Sequence, residues 1–216
     1  MTTTFEAVIF DLDGVLTDTA KYHYLAWKKI ADEQEIYFDL AINERLKGID
    51  RLNSLEIILE KAQCVYSAAE KEQLISVKND YYRSLIQDMS PQDLLPGVLE
   101  ALKQIKDAGL KVGLASVSKN AFFVIDRLEI GAYFDYMADA SKIKKGKPDP
   151  EIFLNVAENL NVKSANCIGV EDAAAGVKAI KAAGMYAIGI GDSQILREAD
   201  EVLPDLDVFE INKYMP

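Results

Sequence analysis

The sequence predicts an α/β fold, a mostly parallel sheet interrupted after its first strand by a helical cap. Two observations carry this. From Pro96-Gly97 onward, short apolar runs and helix starts alternate in the pattern of βα units. Between the first apolar run, residues 5–10, and that point the hydrophobic period is helical throughout. Length agrees with both: 216 residues hold one α/β domain with a sizeable insertion, and a chain of this size buries about 70% of its unfolded surface.

Taken in order, residues 5–10 are the first strand, and Val8-Ile9-Phe10 passes straight into Asp11-Leu12-Asp13-Gly14-Val15. The insert spans residues 17–89, with hinges at Val15-Leu16-Thr17 and Ser90-Pro91-Gln92. Within it Tyr24, Trp27, Ile30 and Ala31 recur at helical spacing, as do Leu52, Leu55, Ile58 and Leu59. Leu74, Val77, Tyr81 and Leu85 make a third stripe, and the three stripes predict the core of a small bundle. Residues 1–16 and 90–216 form the sheet domain. Its later strands centre on Val112–Ala115, Tyr136–Ala138, Asn166–Gly169, Ala187–Gly189 and Glu201–Leu203, and its helices start near Gly97, Lys119, Pro150 and Asp172. Such alternation gives a Rossmann-like sheet covered on both faces, with its loops gathered at the carboxyl edge and the cap above them.

Composition narrows the class. Cys64 and Cys167 fall in different domains, which excludes a disulfide framework or zinc site and leaves both as core thiols. Met1-Thr2-Thr3-Thr4 lacks the basic start and apolar stretch of a signal peptide, and no apolar run reaches the ~20 residues of a membrane span. A cytoplasmic protein without membrane association is expected. A net charge of −11 argues against nucleic-acid binding, which needs basic surface. It leaves room for a phosphorylated small molecule, because surface charge is screened over ~8 Å and a few lysines can dominate a cleft.

The chemistry sits at strand ends. Asp11 and Asp13, two residues apart, leave the strand on one side, and paired anions call for a cation, a phosphate centre or a shared proton. An acidic glycine turn is the plain alternative. Ser116-Val117-Ser118-Lys119-Asn120 follows the next strand and opens a helix, where hydroxyls, amides and a lysine suit phosphate; Ser118 serves equally as an N-cap. Lys147 precedes Pro148-Asp149-Pro150, and Glu171-Asp172 ends a third strand; a solvated lysine and an acidic helix start are their structural alternatives.

In this order the four segments resemble the haloacid dehalogenase superfamily, whose motifs are an Asp-x-Asp loop, a Ser/Thr, a Lys and an acidic pair, and the match spans most of the chain. Thr17–His23, Leu46–Arg51, Lys78-Asn79-Asp80, Ile86-Gln87-Asp88 and Ser116–Asn120 are similar to its hexose-phosphate mutases. The resemblance implies interconversion of β-glucose 1-phosphate and glucose 6-phosphate, primed by glucose 1,6-bisphosphate. It makes Asp11 the nucleophile and Asp13 the general acid/base. Mg2+ is then held by Asp11, the Asp13 carbonyl, Glu171 and Asp172, while Ser116 and Lys147 neutralise the transferring group.

It also implies substrate contacts from Thr19, His23, Trp27, Lys47, Gly48, Arg51 and Lys78 in the cap, and from Val117, Ser118, Lys119 and Asn120. Each has a plainer role. Thr19 suits an N-cap, His23 a half-exposed helix position, Trp27 the bundle core, Lys47-Gly48 a helix end and Lys78 a solvated lysine. Arg51 is the harder residue to dismiss, since a guanidinium grips a nontransferring phosphate through two parallel hydrogen bonds. Val117 stands where the family has a smaller residue and is expected to tighten the sugar pocket. A sugar-phosphate phosphatase is the runner-up, a noncatalytic phosphosugar binder the third class, and a monomer is expected.

Overall fold

The computed structural model describes residues 4–46 and 49–215. The chain divides into two compact units, Met1–Asp18 with Met89–Pro216, and Thr19–Asp88.

The first unit is built on a six-stranded sheet. Its strands are β1 (Ala7–Phe10), β2 (Lys111–Leu114), β3 (Tyr136–Met137), β4 (Cys167–Glu171), β5 (Tyr186–Ile190) and β6 (Glu201–Leu203). They lie in the order β3-β2-β1-β4-β5-β6, every pairing parallel. The order turns beside β1, so β1 and β4 flank the crevice where doubly wound sheets place ligands. All four residues of β1 are buried, as a parallel strand covered on both faces requires. Ala7 and Ile9 pack with Phe153 and Val156 of α7 (Glu151–Asn159) and Ile180 of α8 (Ala174–Ala182). Side chains alternate along a strand, so Val8 and Phe10 serve the opposite face. There α5 (Val98–Asp107), which packs against β2, buries Val98, Ala101, Leu102 and Ile105.

Where the chain leaves and re-enters this unit, its two crossings are tied together. Leu95 N donates to the Leu16 carbonyl at 3.0 Å, and Thr17 Oγ1 donates to the Asp93 carbonyl at 2.7 Å. Thr17 and Leu94 also form an antiparallel bridge.

The second unit is helical: α1 (Ala20–Glu33), α2 (Leu40–Glu44), α3 (Arg51–Leu59) and α4 (Ala68–Leu85). Side chains end three of these helices: Asp39 caps α2, Asp50 accepts from Leu52 N and Asn53 N to cap α3, and Ser67 with Glu70 forms a capping box on α4. Trp27, Ile30, Ile42, Leu55 and Ile58 form its core.

Three expectations change here. Leu52 is 51% exposed, because the Asp50 cap starts α3 with that side chain turned outward. Cys64 is exposed in the polar connection between α3 and α4; only Cys167 is a core thiol. On α4 the fully buried face carries Lys78 and Tyr82, while Leu74 and Val77 are only partly buried beside the core.

Candidate active site

The parallel register builds the first cluster. Phe10 pairs with Val170 of β4 and with Leu114 of β2, so the next residue out, Asp11, stands beside Glu171 on one side and Ala115-Ser116 on the other. Backbone bonds hold this geometry: Asp11 N donates to Val170 O at 2.9 Å, and Ala115 N donates to Phe10 O at 2.8 Å. Asp11, Ser116, Lys147 and Glu171 are buried, whereas Asp13 and Asp172 are partly exposed.

Lys147 joins the cluster from a distant loop. Its Nζ donates to Asp11 Oδ1 at 2.6 Å and to Glu171 Oε1. Burial favours a neutral amine, but the Asp11 and Glu171 charges outweigh it and hold Lys147 above the ordinary lysine range. Burial pushes Glu171 up; Lys147 pulls it back and Asp11 pushes it further up. Glu171 Oε2 also accepts from Ala173 N at 2.9 Å.

Asp11, Glu171 and Asp172 place carboxylate oxygens within 4.8 Å of one another. Three carboxylates gathered beside one ammonium in a largely buried site suit a divalent cation with hard oxygen ligands. Two glycines keep the space open. A Cβ on Gly14, which has φ of +77°, would lie 2.1 Å from Asp172 Oδ2, and one on Gly176 would lie 1.8 Å from Glu171 Oε1. The residues present therefore fit Mg2+, and Asp11, Glu171 and Asp172 are the side chains to hold it.

The loop after β2 is ordered by its own hydroxyls. Ser118 N donates to Ser116 Oγ at 3.1 Å, and Asn120 N donates to Ser118 Oγ at 3.3 Å. Asn120 is buried at the N-cap of α6 (Ala121–Arg127), and Lys119 is exposed. Val117 is partly buried and packs against the core beneath α7 and α8.

A second cluster lies within the helical unit. Lys78, 1% exposed, sends Nζ over the rings of Trp27 and Tyr82, at 4.9 and 4.7 Å from their centroids, and to within 2.9 Å of His23 Nδ1. It is not a solvated lysine. The His23 ring lies 4.2 Å from that of Tyr82. Burial, then the charges of Lys78 and Arg51, hold His23 well below the ordinary imidazole range. An ammonium can only donate, so Nδ1 accepts and the imidazole proton sits on Nε2. That buried Nε2 finds no hydrogen-bond partner among the described residues. Arg51 opens α3 and is partly buried, and Thr19 is fully buried at the N-cap of α1 without a side-chain capping bond. Lys47 and Gly48 lie outside the described residues.

Tyr82 belongs to this cluster and the sequence reading passed over it. The available signal was its spacing, one helical turn after Lys78 on the same face.

An Asp-x-Asp loop, a buried lysine and a facing acidic pair at the carboxyl edge of a doubly wound sheet are the arrangement of a haloacid dehalogenase-type enzyme. The family model for haloacid dehalogenase-like hydrolases matches residues 5–184, and the chain belongs to that family. Among curated relatives, it is 51% identical over 200 residues to the β-phosphoglucomutase of Bacillus subtilis (strain 168), covering 92% of this chain and 88% of that protein. It is 33% identical over 205 residues to a phosphorylated carbohydrates phosphatase of Thermotoga maritima, covering 91% and 92%. The crystal structure of β-phosphoglucomutase from Clostridium difficile superposes with a TM-score of 0.94 at 46% identity, over 97% of this chain and 95% of that one. Among the described residues no helix is long and apolar enough to cross a membrane.

Proposed function

We propose that this enzyme is a magnesium-dependent β-phosphoglucomutase that interconverts β-D-glucose 1-phosphate and D-glucose 6-phosphate. The observation that carries this reading is the 51% identity across 92% of the chain to a β-phosphoglucomutase. The core cluster supplies matching chemistry. Asp11 attacks phosphorus, its new O–P bond forming as the bond to the sugar oxygen breaks, and Asp13 gives that oxygen a proton. In the return step Asp13 takes the proton of the 6-hydroxyl of a β-glucose 1-phosphate, which attacks the aspartyl phosphate, frees Asp11 and forms the 1,6-bisphosphate; Asp11 then attacks the C1 phosphate of that bisphosphate and glucose 6-phosphate leaves. Lys147 and Ser116 stabilise charge on the transferring group, and Lys147 also fixes the Asp11 carboxylate through Oδ1. The Asp11, Glu171 and Asp172 carboxylates would hold Mg2+, which would supply neutralising charge for the phosphoryl oxygens. Arg51 holds the phosphate that is not being transferred, with His23, Lys78 and Thr19 as further sugar-phosphate contacts.

On this reading the enzyme is primed by glucose 1,6-bisphosphate, which is also its intermediate, and works as a cytoplasmic monomer on a small substrate without nucleic acid. The relative at 33% identity named as a phosphatase keeps hydrolysis as the second reading. One assay separates them: protein, Mg2+, β-glucose 1-phosphate and a trace of the bisphosphate, with glucose 6-phosphate and free phosphate both measured. A mutase yields glucose 6-phosphate with little free phosphate. Phosphate release equal to substrate loss makes the enzyme a phosphatase.

A further inference from the structure

We propose that Tyr82 is a positioning residue whose ring, together with Trp27, holds Lys78 and His23 as one preformed unit that presents the His23 Nε2–H. Tyr82 touches both members: its ring centroid lies 4.7 Å from Lys78 Nζ and 4.2 Å from the His23 ring, inclined at 37°. Trp27, from α1, adds a second ring, its centroid 4.9 Å from the same ammonium. An ammonium set over two rings is attracted by both ring quadrupoles, so where the rings lie helps to set its proton-donating direction. That direction is toward His23 Nδ1, at 2.9 Å. Fixing Nδ1 as acceptor fixes the tautomer, and the tautomer decides which ring nitrogen carries the one N–H.

The groups facing His23 are Lys78 and Tyr82 from α4 and Arg51 from α3; both cations disfavour a third charge on the imidazole. Tyr82 therefore acts at two points, on the donor to Nδ1 and on the plane of the ring, and the buried Nε2–H is left without a hydrogen-bond partner among the described residues. The activity arm of the test rests on the mutase reading; the spectroscopic arm does not.

His23 is the single histidine of the chain, so its imidazole nitrogens give one resolvable pair of signals. In substrate-free, ¹⁵N-labelled protein near neutral pH, long-range ¹H–¹⁵N correlation should show a pyridine-type Nδ1 and a pyrrole-type Nε2. Tyr82→Phe, which keeps the ring, should preserve that pattern, and Tyr82→Leu should give mixed tautomers or a protonated ring. For a chain in which leucine prevents folding, pentafluorophenylalanine at position 82 keeps the shape of phenylalanine and removes the negative ring face; it should disturb the pattern where Tyr82→Phe does not. The same order should appear in kcat/KM for β-glucose 1-phosphate, with Tyr82→Leu lower by about 10- to 30-fold and Tyr82→Phe near wild type. An unchanged Nε2–H pattern in both the leucine and the pentafluoro variants overturns the proposal, as does equal loss in Tyr82→Phe and Tyr82→Leu. A pattern that shifts as stated in protein that makes no glucose 6-phosphate sustains the positioning role and removes the mutase reading.

Discussion

Lys147 and Lys78 are both buried, and the two units of the chain hold them in opposite ways. In the sheet unit Lys147 lies against the Asp11 and Glu171 carboxylates, inside a cluster that keeps excess negative charge. In the helical unit Lys78 lies against the Trp27 and Tyr82 rings and a neutral imidazole, with Arg51 adding positive charge. One region gathers carboxylates, which suit a cation, and the other gathers cationic side chains, which suit an anion. The difference teaches that a buried lysine has no single setting: Lys147 balances the charge of the carboxylates beside it, and Lys78 lies over two rings and against an imidazole nitrogen.

The comparison breaks most sharply at the nucleophile. Asp11→Asn keeps shape and removes charge, and turnover should fall by about 10⁴-fold or more with the fold retained by circular dichroism. Residual turnover near wild type would remove the acidic cluster from the chemistry.

Methionine in place of each lysine then sharpens it. Lys147→Met leaves the Asp11 and Glu171 charges buried without their ammonium, and denaturant unfolding should show a loss of about 3–5 kcal/mol, partly recovered by added Mg2+. Lys78→Met keeps a flexible apolar stem between the two rings, so its unfolding free energy should stay within about 1 kcal/mol of wild type while KM for the sugar phosphate rises. Equal losses of stability in the two variants would erase the distinction.

The smallest effect is pH dependence in the helical unit. His23 is held below its ordinary value, so on acidification the unfolded chain takes up a proton first. The stability this group contributes is present above about pH 6.5 and is lost as pH falls below it. Melting temperatures measured from about pH 7.5 to about 5.5 should fall more steeply in wild type than in His23→Gln. Parallel profiles would assign the acid sensitivity to other groups.

What was legible in the sequence follows from the same contrast. Asp11, Ser116, Lys147 and Glu171-Asp172 announce themselves because each ends or follows an apolar run, and a parallel sheet brings strand ends to one edge whatever their separation in sequence. The βα alternation was readable for the same reason. Lys78 was not, because burial of a lysine on a helix depends on a tryptophan from another helix, and periodicity treats a lysine as solvent-facing. Treating Lys78 as solvent-facing moved the apolar stripe of α4 onto Leu74 and Val77 and hid Tyr82. Leu52 and Cys64 misled in the other direction: their apolar character suggested the core, while a capped helix start and a polar connection placed them outside.

The ties at Leu16–Thr17 and Asp93–Leu95 make the insert a closed ring, in which the chain departs and returns through a single point, 76 residues apart at the Thr17–Asp93 bond. Closing a ring costs free energy only with the logarithm of its length, so replacing this one by a linker of a few residues changes that cost by about 2 kcal/mol. A sheet stitched in this way can carry inserts of very different size and content without altering its own strand register. The helical insert and the strand-end carboxylates are thereby separately heritable: the ring can be exchanged while the Asp11, Glu171 and Asp172 cluster keeps its geometry.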